Sequence, residues 1–169
     1  PIPIHRQTLF ETINNIVSEN ETFELNILAH GASGGIYVDG EFIEESQWVS
    51  GISQLSSSVI KNLDINSRTI NFWSCETGAG YSGSKFAELV SITTAAAVNM
   101  SSNKVGHEVH GADWSLEQKF PISSPFSQFA MDKWHGVLSH NNMQQKQGVW
   151  LRDVTPTDIT NGTAREEEI

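Results

Sequence analysis

The sequence predicts an α/β fold with a mostly parallel sheet, helices on both faces and a small β-hairpin insert. Two apolar runs, Phe23–Ala29 and Thr69–Ser74, each lead into a loop that contains glycines, and a helical pattern opens near Ser82. A third run, Ala95–Met100, is rich in small residues and follows that pattern. Strands that alternate with helices form βαβ units, whose right-handed crossovers lay the helices on the sheet faces.

Size, hydropathy and charge restrict the classes of protein to which the chain can belong. The 169 residues predict one domain over residues 1–138, followed by a polar, partly disordered extension over residues 139–169. No apolar run approaches the roughly 20 residues that span a bilayer. A net charge of −10 without a basic run argues against binding to nucleic acid or to an anionic membrane. The start Pro-Ile-Pro-Ile lacks an initiator methionine and a signal-peptide pattern, which indicates a piece of a larger protein.

Apolar spacing and turn residues define the elements of the first half. The spacing predicts a helix over Thr8–Val17, and Asp39-Gly40 between two short apolar runs predicts a hairpin with a type I′ turn. A second helix is predicted from apolar residues at helical spacing, namely Ile52, Leu55, Val59, Ile60 and Leu63.

The second half predicts fewer elements. Ser82 is expected to cap a third helix whose buried face carries Phe86, Leu89 and Val90. We expect a loop over residues 103–116, and a last helix after Pro125 that carries Phe126, Phe129, Ala130 and Trp134. A short strand is predicted at Val149–Leu151.

Each of the two long strands ends in a residue that can react. His30 follows the first strand, and Cys75, the only cysteine, follows the second. If these strands are parallel neighbours, the thiol and the imidazole meet at the carboxyl edge of the sheet, where α/β proteins bind ligands. A cysteine nucleophile acts as the thiolate and needs a neighbour to take its proton. The pair therefore predicts a catalytic dyad, although a buried core thiol beside a strand-ending histidine remains the alternative.

Gly31 suggests how such a site would hold a substrate. A residue without a Cβ lets a carbonyl group approach its backbone N–H. The Gly31 and Cys75 amides together would then form an oxyanion hole.

Two short segments resemble caspase-like cysteine peptidases, the group that includes caspases, metacaspases, legumain, gingipains and clostripain. Leu28-Ala-His-Gly31 resembles their apolar run before His-Gly, and Phe72-Trp-Ser-Cys-Glu-Thr-Gly78 resembles their strand that ends in the nucleophile. The order of the two residues along the chain, histidine first and cysteine second, is also the same as in those peptidases. The resemblance implies a caspase-like three-layer sandwich.

More of the chain, about residues 23–117, resembles an uncharacterised bacterial domain near the start of very large secreted or surface adhesin-type proteins. The matching features are His30-Gly31, Gly40, Cys75, Gly83-Ser-Lys-Phe86, residues 95–101 and Gly111-Ala-Asp-Trp-Ser-Leu-Glu117. Ser74 and Ala112 stand where that domain has glycines, and neither change removes a catalytic atom. The resemblance implies a secreted or cell-surface location within a larger protein.

The resemblance also implies an activity, namely hydrolysis of peptide bonds through an acyl-enzyme on Cys75, with His30 as base and acid and without a cofactor. The substrate would be a peptide or protein, and self-processing of the parent chain is one hypothesis. Members of the group select the residue before the cut, and Asp113, with Glu76 as second choice, would favour Lys or Arg there. For Asp113, a role as a turn residue is the alternative.

Two other functions remain open. His107 and His110, with Glu108 or Asp113, have a spacing compatible with metal ligands, although histidine pairs in loops are more often polar surface, and we predict no metal site. The domain could also be a non-catalytic binding module that keeps a caspase-like frame.

Overall fold

The computed structural model describes residues 2–3, 5–53, 63–117, 124–139 and 148–152. The strands are β1 Ile2–Pro3, β2 Phe23–Leu28, β3 His30–Ala32, β4 Gly35–Val38, β5 Glu41–Ile43, β6 Arg68–Trp73, β7 Ala97–Asn99 and β8 Gly148–Arg152. The helices are α1 Arg6–Glu19, α2 Glu45–Gly51, α3 Gly80–Thr94 and α4 Gln128–Lys133, with single 3-10 turns at Ile65–Ser67 and Glu108–His110.

The main sheet has the strand order β1-β8-β2-β6-β7. β2 pairs in parallel with β6, and β6 pairs in parallel with β7, so the three predicted parallel strands are confirmed. β8 is antiparallel to both β2 and β1. The predicted strand near Val149 is therefore present, and it carries the part of the chain after residue 139 back into the sheet.

β3, β4 and β5 form a separate antiparallel sheet, which follows directly from β2. Val38 pairs with Glu41, and the two residues between them, Asp39 and Gly40, have φ angles of 52° and 79°. Positive φ at both central positions is the type I′ geometry, which matches the twist of the flanking strands. The predicted hairpin is thus confirmed.

One face of the parallel strands is apolar and carries the main core. Leu25 and Ile27 of β2 and Ile70 and Phe72 of β6 are fully buried in one cluster with side chains from α1, α2 and α3. Trp48 of α2 is central to that cluster, and its ring packs against three aromatic side chains, those of Phe10, Phe72 and Phe86. The alternation of β2 and β6 thus directs one set of side chains toward the helices.

The other face of the same strands carries a row of asparagines. The Asn99 amide donates to Asn71 Oδ1 at 2.8 Å, and the Asn71 amide donates to Asn26 Oδ1 at 2.9 Å. Trp73 Nε1 donates to the same Asn26 oxygen at 2.9 Å. All three asparagines are buried, and a buried amide is costly unless it is hydrogen-bonded, so the row favours one register of the three strands.

Two helix predictions need correction. The first helical hydrogen bond of α3 runs from Gly83 N–H to the Ala79 carbonyl at 3.1 Å, so α3 begins before Ser82, which lies inside the helix and does not cap it. The sequence did not predict α2. This helix ends at Gly51, and Ile52 after it is extended, so Ile52 does not belong to the predicted second helix. The rest of that prediction falls mainly on residues 54–62, which lie outside the described residues.

Other helix predictions are confirmed with shifted ends, since α1 extends the predicted Thr8–Val17. The helix expected after Pro125 is shorter than predicted, because α4 contains Phe129 and Ala130 but not Phe126 or Trp134. Within the described ranges, no helix is long and apolar enough to cross a membrane.

Candidate functional site

The register between β2 and β6 brings the two predicted reactive residues to one edge of the sheet. The last pair in the register is Leu28 with Trp73. His30 and Cys75 each lie two residues beyond that pair, and the Ala29 N–H donates to the Trp73 carbonyl at 3.3 Å. The predicted parallel neighbours therefore end together, and both side chains are fully buried.

Gly31 packs directly against the turn that carries Cys75. A Cβ at position 31 would lie 2.6 Å from the Cys75 carbonyl oxygen and 2.4 Å from Thr77 Oγ1, which leaves no room for a side chain. Thr77 and Ser74 share a hydrogen bond of 2.6 Å between their hydroxyl groups within this turn. Glycine is thus required here because two backbone segments approach closely.

The backbone amides of Gly31 and Cys75 converge on one oxygen atom. Gly31 N–H donates to the Leu138 carbonyl at 3.1 Å, and Cys75 N–H donates to the same oxygen at 3.4 Å. These are the two donors that the sequence suggested for an oxyanion hole. Two N–H groups that point at one carbonyl oxygen have the arrangement that stabilises a tetrahedral oxyanion.

The segment that provides this carbonyl lies alongside residues 105–107 as an added strand. Leu138 N–H donates to the Val105 carbonyl at 2.9 Å, and His107 N–H donates to the Gly136 carbonyl at 2.9 Å. An antiparallel bridge pairs Gly106 with Val137 between these two bonds. We call residues 136–139 the cleft segment, because they run past Cys75 in an extended conformation.

The Cys75 thiol is buried beside Val105. Val105 N–H donates to Sγ at 3.1 Å, and Sγ lies 3.5 Å from the Val105 carbonyl. Burial raises the pKa of the Cys75 thiol, an effect that the Val105 N–H partly offsets because it stabilises the thiolate. Burial of the thiol therefore favours its protonated form.

The two predicted specificity residues lie at exposed positions. Asp113 Oδ1 accepts a hydrogen bond from Ser115 N–H at 2.9 Å and contacts the Ser115 hydroxyl, as in an Asx turn. Glu76 is the residue after Cys75, with a φ of 56°. A role for either carboxylate in binding a substrate remains a prediction.

The histidines after β7 have partners in their own loop and in the segment after α4. His107 Nδ1 accepts from Val109 N–H at 3.3 Å, and His110 Nε2 lies 2.8 Å from the His135 carbonyl oxygen. The His107 and His135 rings also pack edge to face, 4.5 Å apart. In the part of the chain that the structure describes, no three His, Cys, Asp or Glu side chains are grouped so that they could hold a metal ion.

The comparison with domain families assigns the chain to one family. The family DUF4347, described as a domain of unknown function, matches residues 4–138, which is most of the 169 residues. The chain belongs to the DUF4347 family. No curated protein and no solved structure matches the chain significantly. The DUF4347 match contains both predicted reactive residues, His30 and Cys75, and ends at Leu138, within the cleft segment.

The sequence did not predict the roles of Val105 and Leu138, which contact the site through backbone atoms. Backbone hydrogen bonds do not depend on residue type, so no motif marked these positions. The only relevant signal was the predicted domain boundary after residue 138.

Proposed function

We propose that this DUF4347 domain is a cysteine peptidase with a caspase-like form of the α/β fold, in which Cys75 is the nucleophile and His30 the general base. The observation that carries the proposal is the convergence of the Gly31 and Cys75 amides on a single peptide carbonyl oxygen. A histidine and a cysteine that each lie two residues beyond one of two adjacent parallel strands give the chemistry that such a carbonyl requires.

The reaction begins with transfer of the Cys75 proton to His30 as Sγ attacks the substrate carbonyl carbon. The two amides stabilise the oxyanion, and the Val105 N–H stabilises negative charge on sulfur. His30 then donates its proton to the leaving amine. Water hydrolyses the resulting thioester. The substrates are peptides or proteins, and a parent chain that contains the domain is one of them.

The test is the reaction of Cys75, the only cysteine, with iodoacetamide at several pH values. Because the cleft segment covers the thiol, the reaction is measured in the wild type and in Leu138→Asp, whose charged side chain is expelled from an apolar cluster. We expect Leu138→Asp to react faster than a free thiol near pH 7, and His30→Ala in the same background to slow the reaction at least tenfold. Cys75→Ala is the blank, and thermal unfolding verifies that each variant is folded.

A binding module without catalysis is the second candidate, because His30 and Cys75 are both fully buried. In that case, Cys75 in Leu138→Asp reacts no faster than a free thiol and is indifferent to His30→Ala. That result would contradict the peptidase proposal and favour the binding module.

A further inference from the structure

We infer that the cleft segment is the domain's own substrate, and that Cys75 cleaves the peptide bond between Leu138 and Ser139. This inference rests on the proposed peptidase function and specifies its substrate. It follows from three features of the segment: the contacts of one carbonyl group, the pairing of the backbone on either side of Val137, and the burial of one side chain.

The Leu138 carbonyl occupies the position of a scissile carbonyl. Its oxygen accepts hydrogen bonds from both the Gly31 and the Cys75 amides, at 3.1 and 3.4 Å. The amide of Cys75 belongs to the nucleophile itself, so this carbonyl lies next to the reactive residue. In a peptidase, the carbonyl that receives these two bonds is the one that the thiolate attacks.

The backbone before Leu138 is held as a substrate strand would be. Two main-chain hydrogen bonds, each 2.9 Å long, hold it: Leu138 N–H donates to the Val105 carbonyl, and His107 N–H donates to the Gly136 carbonyl. Added strands of this kind bind extended peptides through main-chain atoms and leave the side chains to give specificity. Val137 and Leu138 are buried, whereas Ser139 is partly exposed and forms a parallel bridge with Gly31.

The side chain of Leu138 indicates the specificity. It is 1% exposed and belongs to an apolar cluster that also contains Trp73, Cys75, Val105, Ala112, Leu116, Phe126 and Val137. A charged side chain in this cluster would lose its hydration without gaining a partner. The residue before the cut is therefore apolar, in contrast to the Lys or Arg that Asp113 was predicted to select.

The chemical step balances without any reagent except water. The Cys75 proton passes to His30 as Sγ bonds to the Leu138 carbonyl carbon, and the bond to the Ser139 nitrogen breaks as that nitrogen takes the proton from His30. Water then gives a proton to His30 and its hydroxide to the Leu138 carbonyl carbon, and the C–S bond breaks as the sulfur takes that proton back from His30. The carboxylic acid formed on Leu138 releases its proton to solvent. The products are the Leu138 carboxylate, the Ser139 amine and regenerated Cys75.

Cleavage at this bond would not separate the two pieces under native conditions. β8 lies in the piece that begins at Ser139, and it pairs with β2 over five residues and with β1 on its other side. Products must therefore be measured after denaturation.

The experiment is intact-mass spectrometry of the full chain, denatured after timed incubation. We expect wild type to yield one fragment that ends at Leu138 and one that begins at Ser139, and Cys75→Ala and His30→Ala to remain uncut. Leu138→Met should be cut, and Leu138→Lys should lose cleavage at least a hundredfold. Ile92→Asp, a charge introduced at an exposed position on α3, should be cut as wild type is.

Several outcomes would contradict the inference. One outcome is a fast, His30-dependent thiol in Leu138→Asp together with wild type that is cut only at another bond or not at all. That outcome would overturn this assignment and leave the peptidase proposal intact. Cleavage that persists in a folded Cys75→Ala chain would identify a contaminating protease and overturn it as well. A thiol that is slow in Leu138→Asp, together with no cleavage, would overturn both proposals.

Discussion

At the scale of single residues, the state of Cys75 depends on what surrounds its sulfur. The side chain is fully buried, and burial raises the pKa of the thiol above its ordinary range. An acid whose pKa is higher in the folded than in the unfolded protein stabilises the fold only while it remains protonated. Its contribution is complete below the unfolded pKa, about 8.5 for a thiol, and is lost as the pH rises from there toward the folded pKa.

This linkage predicts how stability changes with pH. The free energy of unfolding of uncleaved wild type should fall between pH 8 and pH 10 by more than that of Cys75→Ser, whose hydroxyl does not titrate. Urea titrations of both proteins at several pH values measure the difference. Parallel pH profiles for the two proteins would show that the folded and unfolded thiol pKa values are the same.

Gly31 and Gly40 form a matched pair for a second prediction. Gly31→Ala puts a methyl group within 3 Å of the Cys75 turn, whereas the Cβ of Gly40→Ala meets nothing within 4 Å. Gly40→Ala should cost about 1 kcal/mol, since only its positive φ is strained. Gly31→Ala should cost more, about 3 kcal/mol, through overpacking between backbone segments.

Chemical denaturation measures both glycine variants. Gly31→Ala should also lose cleavage between Leu138 and Ser139, because the two amides no longer converge on one oxygen, whereas Gly40→Ala should retain it. Equal losses of stability in the two variants would contradict the close packing at Gly31.

At the scale of secondary-structure elements, Arg68 joins two helices to the start of β6. Its buried guanidinium donates to the carbonyls of Val17 and Asn20 at the end of α1, and to those of Thr94 and Ala95 at the end of α3. Helix C-termini leave carbonyls without partners and carry partial negative charge. One cation thus satisfies both ends where a neutral side chain could not.

Replacing Arg68 with methionine should therefore destabilise the fold by about 3 kcal/mol or more, because several buried carbonyls lose a charged donor. Lys85→Met is the control, since Lys85 is an exposed cation on α3 that pairs with Glu88, three residues further along, and lies over the Tyr81 ring. It should leave the midpoint of urea denaturation nearly unchanged. A similarly small effect of Arg68→Met would mean that water replaces the guanidinium at the helix ends.

At the scale of the whole molecule, the strand after the cleft segment closes the fold. β8 lies between β1 and β2, so residues 148–152 contribute to the same sheet as the residues of the DUF4347 match. Strands from both sides of the Leu138–Ser139 bond therefore belong to one sheet. That sheet holds the site and the cleft segment together.

This arrangement predicts that the cut protein behaves as one particle. After cleavage, the fragments 1–138 and 139–169 should co-elute in size-exclusion chromatography and separate only in denaturant. Uncut Cys75→Ala gives the reference elution volume. Separation of the fragments in native buffer would show that the pairing of β8 does not survive the cut.

Much of the fold could be predicted from the sequence because the relevant signals are local. Apolar runs and turn chemistry identified β2, β6 and the hairpin at Asp39-Gly40, and helical spacing identified α1, α3 and α4. The start of α3 was misjudged, since Ser82 has the right chemistry for a cap but the turn after Cys75 starts the helix earlier.

The sequence by itself determined that His30 and Cys75 each follow a buried apolar run and that glycine follows the histidine. Only the tertiary structure decided the register in which the two parallel strands pair, and that the Leu138 carbonyl accepts hydrogen bonds from the two amides. The physical reason is that strand pairing and peptide binding use main-chain hydrogen bonds, which every residue type except proline can both donate and accept. Such contacts between residues far apart in the chain leave no pattern in the sequence.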